Sequence, residues 1–285
     1  MLLEIAFSEN ICIIILWIMT LFLIRLIFKR KSPRNMRKDS PTLFNLLINT
    51  IALAILAIFT LLIWVLVIGG VFLQVDKYAF FIIITNLLQL AVQLFYDLTT
   101  LRLFWERVLI LLFPLRPLRL AKQILVVLSF TTGCAMVFFM FFIMLYPADI
   151  SENFLPKGCY AFVCSNGRQH NYGPLFHTVL SILILTMGTC FVVLLARSKS
   201  FQNRNNRMFN KLTQYIFLIR LIADLTPAII EIALAVTTTQ SLGYYVGPIG
   251  AIGCVFEGFF SSAAYYYILS RRSEVKKQQP NSTNT

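Results

Sequence analysis

The sequence predicts an all-α, membrane-embedded bundle of seven transmembrane helices, with its amino terminus outside the cell and its carboxyl terminus in the cytoplasm. Three observations predict this fold: long apolar segments, short polar loops between them, and basic residues concentrated in alternate loops. A helix needs roughly 20 apolar residues to cross a bilayer, and a backbone without water must be helical there. The predicted spans are about 11–28, 43–68, 79–113, 124–146, 175–196, 212–236 and 245–269.

The basic residues set the orientation. Of the 25 Lys and Arg residues, 19 lie in four stretches that follow the first, third, fifth and seventh spans. Positive residues remain on the cytoplasmic side, so these stretches are predicted to be cytoplasmic. Residues 1–285 then form a single membrane domain that ends in a polar cytoplasmic tail, 271–285, and the sequon at Asn281 is predicted to be unused. The four basic stretches are 29–38, 107–122, 197–211 and 271–277.

Composition limits the classes of binding partner that the chain can have. The chain is 58% hydrophobic and has a net charge of +13. In a soluble protein such a charge would indicate nucleic acid, but here the basic residues lie at membrane ends, where they meet anionic lipid. We therefore expect the lipid bilayer as a partner and no nucleic acid.

The third span carries a polar stripe. Its polar residues are spaced by three and four positions, which places them on one helical face. The outer half of this face, Gln89 and Gln93, is a candidate ligand wall; an equal alternative is hydrogen bonding between helices. The stripe consists of Asn86, Gln89, Gln93, Asp97 and Thr100.

The sixth span carries charges around a proline. Arg220 and Asp224 are neighbours one helical turn apart and can form an ion pair. Pro227 predicts a bend beside that pair, because proline removes a helical hydrogen bond. The segment is therefore a candidate moving part, although a simply neutralised charge explains it as well. Glu231 lies nearer the outside, where it could meet a ligand.

The seventh span carries Glu257 at mid-depth. A carboxylate there needs a partner in the bundle, for which Arg102, Arg220 or a shared proton are candidates. Together with Asp97 and Asp224, Glu257 could instead relay protons or cations, which keeps a solute or proton-coupled transporter as the alternative function.

Cysteine and histidine usage adds one expectation and one exclusion. Cys159 and Cys164 lie in the longest outer loop, 147–174, where an oxidising compartment favours a disulfide between them. The chain has only two histidines, both near that loop, and no phosphate-binding glycine loop. We expect no enzyme activity, no metal site and no cofactor.

The most specific motif lies at the inner end of the third span. Glu106-Arg107-Val108, with Pro114 seven residues after the arginine, resembles the Asp/Glu-Arg-Tyr motif of rhodopsin-like receptors. In that family the arginine engages a G protein, and its acidic neighbour holds the resting state. The chain departs from the family at Val108, in the absence of an aspartate from span two, and at the end of span seven, where only Tyr265 of the usual motif remains.

These departures fit a divergent group. Over residues 10–275 the chain resembles the nematode serpentine chemoreceptors, most closely the Srbc class. The residues that carry this resemblance are 158–165, Asp224-Leu225-Thr226-Pro227, and Gly247-Pro248 followed by Gly253-Cys254 and Glu257.

The resemblance implies a chemosensory, olfactory G-protein-coupled receptor in the plasma membrane, located in sensory cilia as in that group. It implies a small-molecule ligand, and coupling to a heterotrimeric G protein through Glu106, Arg107 and Pro114. The polar residues within the spans make Gln89, Gln93, Asp97, Glu231 and Glu257 the candidate ligand pocket. Arg220, Asp224 and Pro227 would form the switch in span six. A receptor oligomer, or a receptor-like assembly partner that does not signal, is a further alternative.

Overall fold

The protein is a bundle of long helices. The computed structural model describes residues 2–70, 75–113, 119–145, 172–197, 208–223 and 249–278, and no strand occurs within these ranges. The helices are α1 (Leu2–Arg30), α2 (Pro33–Asp39), α3 (Pro41–Ile68), α4 (Val75–Leu112), α5 (Arg119–Leu145), α6 (Tyr172–Arg197), α7 (208–223) and α8 (Ile249–Gln278).

Six of these helices are long and apolar enough to cross a membrane. The first five such segments begin and end within about one helical turn of the predicted limits. The sixth predicted span, 212–236, is helical as far as the structure describes it, to residue 223. The prediction of an all-helical, multi-pass membrane protein is therefore confirmed, and the seven-span count and the orientation stay predictions. The six segments are Phe7–Arg30, Pro41–Ile68, Phe81–Leu112, Leu120–Phe142, Val179–Arg197 and Ile252–Ser270.

Helix α4 lies at the centre of the bundle. It packs against α3, α5 and α6, whereas α1 packs against α3 and α8. In its most apolar part 56% of α4 is buried, compared with 11% of α5. Polar side chains on α4 can therefore be shielded from lipid, and they can bond to neighbouring helices or to the α4 backbone.

Aromatic side chains fill the space between α4, α6 and α7. The buried Phe104 ring lies 6.2 Å from the Phe191 ring and 6.1 Å from the Phe217 ring, centroid to centroid. A Cβ atom at Gly188 would overlap the Phe217 ring, so the glycine allows this close contact. The contact places α7 against both α4 and α6 and fixes the position of the side chains one turn further along α7.

A second close contact joins α1 to α8. A Cβ atom at Gly258 would lie 2.9 Å from Cζ3 of Trp17, which is itself buried. Small residues allow helix backbones to approach closely in membranes. Near the basic ends of the same helices, Arg30 donates to the Tyr266 hydroxyl at 2.8 Å and to Ser270. These contacts hold α8 against the rest of the bundle.

Candidate functional site

A cluster of charges connects three helices in the middle of the bundle. Arg220 on α7 donates through Nη2 to Asp97 on α4 and through Nη1 to Oε1 of Glu257 on α8, the latter at 3.1 Å. Tyr96 on α4 donates its hydroxyl to the same Glu257 oxygen at 2.9 Å. These four residues form the central charge cluster. Asp97 lies at the midpoint of its apolar segment, Phe81–Leu112.

Burial makes the charges of the central charge cluster costly in free energy unless they are paired. Asp97 and Arg220 are each 1% exposed, and Glu257 and Tyr96 are each 2% exposed. A charge at the centre of a span costs roughly 2.5–3.5 kcal/mol on the insertion scale, and a pair offsets that cost only with good geometry. Arg220 supplies that geometry, since its guanidinium bonds to both carboxylates and lies 5.9 Å from the Tyr96 ring centroid.

Glu257 has one of the partners that the sequence predicts for it. Of the three candidate partners for Glu257, the structure selects Arg220. The stripe on the third span and the charge on the seventh are therefore brought together at Asp97 and Glu257. Asp224, Pro227 and Glu231 lie outside the described residues, so the predicted pair and bend in span six stay predictions.

The two glutamines of the predicted ligand wall lie on the amino-terminal side of Asp97. Gln93 and Gln89 are one and two helical turns away from it, and both are half-buried. Neither amide forms a hydrogen bond within the described part of the chain. By contrast, Asn86 is buried and donates to the carbonyl oxygen of Ile82 at 2.7 Å. Of this stripe, Gln89 and Gln93 thus have amide groups available to a ligand.

A second polar cluster surrounds Glu106, nine residues along α4 from Asp97. The Glu106 carboxylate accepts a hydrogen bond from the Thr42 hydroxyl on α3 and pairs with Nζ of Lys122 on α5 at 2.8 Å. We call these three residues the Glu106 cluster. Glu106 is 4% exposed, whereas the side chain of Lys122 is 40% exposed. The pair therefore joins a buried carboxylate to a cation that still reaches solvent.

Arg107 points away from its acidic neighbour. Successive residues on a helix are separated by about 100°, so Glu106 and Arg107 project towards different helices. The Arg107 guanidinium packs over the ring of Phe209 on α7, with Cζ 5.1 Å from the centroid. Among the described residues no ion pair joins Glu106 to Arg107. The carboxylate of Glu106 bonds to Thr42 and Lys122 instead of to Arg107.

Unused donors remain at this end of α4. Nε of Arg107, and Nε and Nη2 of Arg102, are buried and have no hydrogen-bond partner among the described residues. A buried arginine donor without an acceptor is costly. This end of the bundle can therefore accept an oxygen-rich group from another segment or from a partner.

Other predicted site residues cannot be placed. Pro114, Cys159 and Cys164 lie outside the described residues, so the proline spacing and the disulfide stay predictions. Among the described residues, no group of three or more His, Cys, Asp and Glu side chains is arranged to hold a metal ion.

The sequence reasoning missed four partners. Tyr96 lies about 100° from the Asp97 face, although a buried tyrosine hydroxyl usually requires a partner. Thr42, just before the predicted second span, was not considered, and Lys122 was counted only among the basic residues of 107–122. Asn49, an amide well inside an apolar span, was the clearest missed signal, because such groups usually bond between helices. It donates to Oγ1 of Thr99 at 2.8 Å.

Comparisons with protein-family models, with curated proteins and with solved structures find no match for this chain.

Proposed function

We propose that this protein is a chemosensory G-protein-coupled receptor of the plasma membrane, which binds a small molecule from outside and activates a heterotrimeric G protein. The observation that carries the proposal is the bonding of Arg220 to Asp97 and Glu257, because it connects α4, α7 and α8 through one side chain. A ligand that changes this bonding would change the relative positions of three helices. The resemblance to nematode serpentine chemoreceptors, Srbc class, extends the proposal to sensory cilia.

Helix α4 connects the central charge cluster with Arg107. The central charge cluster and Arg107 lie ten residues apart on it, which is about 15 Å of helix. Both also contact α7, through Arg220 and through Phe209. Movement of α7 relative to α4 would therefore alter the surroundings of Arg107 and expose its unused donor. Phe104 and Phe217, packed between these positions, are the pivot of that movement.

The ligand would lie against the glutamines of α4. Gln93 and Gln89 offer amide groups next to the central charge cluster, and Asp97 and Glu257 offer charge. A ligand shifts a conformational equilibrium only through its different affinity for the two states. Contact with a carboxylate that Arg220 holds in one state provides that difference. Glu231, which lies outside the described residues, stays a predicted member of the ligand pocket.

Ion pairing also bears on the transporter alternative. A proton or cation pathway through Asp97, Asp224 and Glu257 needs carboxylates that can release their partner during a cycle. Asp97 and Glu257 are both bonded to the same buried arginine, Arg220, which ties them to α7. This arrangement favours a structural or switching role for them over a transport role.

The test is a panel of small molecules applied to cells that express the chain, with a second-messenger readout. The proposal predicts a saturable response to some of them and no accumulation of the activating molecule in the cells. Saturable, concentrative uptake that Asp97→Asn abolishes would contradict it and favour the transporter. A Gln89→Ala/Gln93→Ala variant should require a higher ligand concentration while its surface level is unchanged.

A further inference from the structure

A groove lies on the outer surface of the bundle, between α1 and α3. It has a volume of about 420 Å³ and is lined by Leu21, Ile24, Arg25, Phe28, Lys29 and Ile51. The five residues from α1 follow one helical face, since they are spaced by three, one, three and one positions. The groove is separate from the central charge cluster and from the Glu106 cluster, neither of which contributes to its lining.

Two cations border this apolar groove. Arg25 and Lys29 are one helical turn apart, and both side chains are exposed. Neither forms a hydrogen bond or an ion pair through its side chain with the described part of the chain. The neighbouring Arg30 differs, since it is bonded to Tyr266 and Ser270 on α8. Contacts with the described residues therefore give Arg25 and Lys29 no structural role.

Their depth indicates what they could bind. Lys29 lies next to the end of the apolar segment Phe7–Arg30, and Arg25 lies five residues inside that end, about 7.5 Å deeper. Long basic side chains at this depth extend towards the headgroup region. The predicted orientation places them in the cytoplasmic leaflet, where acidic lipids are concentrated.

We propose that this groove is a binding site for one acidic glycerophospholipid of the cytoplasmic leaflet. Arg25 and Lys29 bind the phosphate and the acidic headgroup, and an acyl chain lies along Leu21, Phe28 and Ile51. The apolar walls select a lipid over free phosphate or an acidic peptide, because those ligands would leave the groove unfilled. A bound lipid would bridge the basic end of α1 and the adjoining part of α3.

The test uses the full chain reconstituted into vesicles of equal parts phosphatidylcholine and phosphatidylserine. The protein is extracted in mild detergent, and the lipids that remain bound are identified by native mass spectrometry. The parent should retain phosphatidylserine in preference to phosphatidylcholine. Arg25→Gln/Lys29→Gln should weaken that retention by roughly tenfold to thirtyfold, the change expected when two cations near a headgroup are lost.

Two further variants separate the groove from general attraction to charge. Arg34→Gln/Lys38→Gln removes the same charge from exposed positions on α2, and it should retain the lipid as the parent does. Ile51→Trp fills the groove without changing charge and should also reduce retention. The proposal is overturned if the parent does not prefer phosphatidylserine, if the α2 variant loses as much lipid as the groove variant, or if Ile51→Trp retains the lipid fully.

Discussion

Arg220 on α7 donates to Glu257 on α8 at 3.1 Å, and the same guanidinium bonds to Asp97 on α4. These residues are 37 and 123 positions away from Arg220 in the sequence, so the bonding depends on the packing of the whole bundle. All three side chains are buried, and Asp97 and Glu257 lie within helices that are long and apolar enough to cross a membrane. The stability of the protein should therefore depend strongly on Arg220.

Replacement of Arg220 by glutamine should destabilise the protein by about 3–5 kcal/mol, because two buried carboxylates lose their cation. Thermal unfolding of the purified protein in detergent measures this loss. Lys211→Gln, an exposed change on the same helix, is the control. Addition of Asp97→Asn and Glu257→Gln to the Arg220 variant should restore part of the stability. A triple variant less stable than Arg220→Gln alone would contradict the role of charge.

The tyrosine at the central charge cluster should have a smaller effect. Tyr96→Phe removes one hydrogen bond to Glu257 and leaves the ring in place. Hydrogen bonds between helices in membranes average about 0.6 kcal/mol and reach about 1.7 kcal/mol. The same unfolding measurement should detect a loss in that range, whereas Tyr267→Phe, on the exposed face of α8, should be neutral. Equal behaviour of the two variants would show that the Tyr96 hydroxyl contributes nothing.

The Glu106 cluster predicts that substitutions at two residues far apart in the sequence, Glu106 and Lys122, have the same effect on signalling. Glu106→Gln should raise signalling without ligand, because it loosens the resting contact with α3 and α5. Lys122→Gln should do the same, since Lys122 is the ionic partner of Glu106. A pair with an exposed cation contributes about 0–1 kcal/mol, so basal signalling should rise a few fold at most. A rise with Glu106→Gln and none with Lys122→Gln would assign the restraint to another contact.

Helix positions were largely predictable from the sequence, whereas the bonding between helices was not. Apolar length and charged ends determine where a span such as Pro41–Ile68 lies, because both are local properties. Hydrogen-bond partners depend on how helices rotate and pack. Glu106 illustrates the difference: its neighbour Arg107 suggested a local pair, but the helical twist directs the carboxylate to Thr42 and Lys122. The mid-span acids were found from their cost in lipid, and Arg220 was one of three candidate partners.

Orientation has an independent test at the tail. The concentration of basic residues in alternate loops predicts that Asn281 lies in the cytoplasm and carries no glycan. Glycosidase treatment of the expressed protein should leave its mass unchanged. A glycosidase-sensitive shift that disappears in Asn281→Gln would place the tail outside and would contradict both the receptor proposal and the leaflet of the proposed lipid site.

In the proposed function, ligand binding and signalling occur at different ends of α4, and the Arg107→Ala variant tests this separation. Arg107→Ala should leave ligand binding nearly intact, because Arg107 is ten residues from Asp97 and contacts Phe209 instead of the glutamines. It should abolish the ligand-evoked response, because it removes the proposed G-protein contact.

The measurement is ligand binding and second-messenger output on the same cells, at matched surface level, with Lys211→Ala as the control for loss of a basic residue. We expect normal binding with no response in Arg107→Ala, and normal binding and response in Lys211→Ala. A normal ligand-evoked response in surface-expressed Arg107→Ala would contradict it.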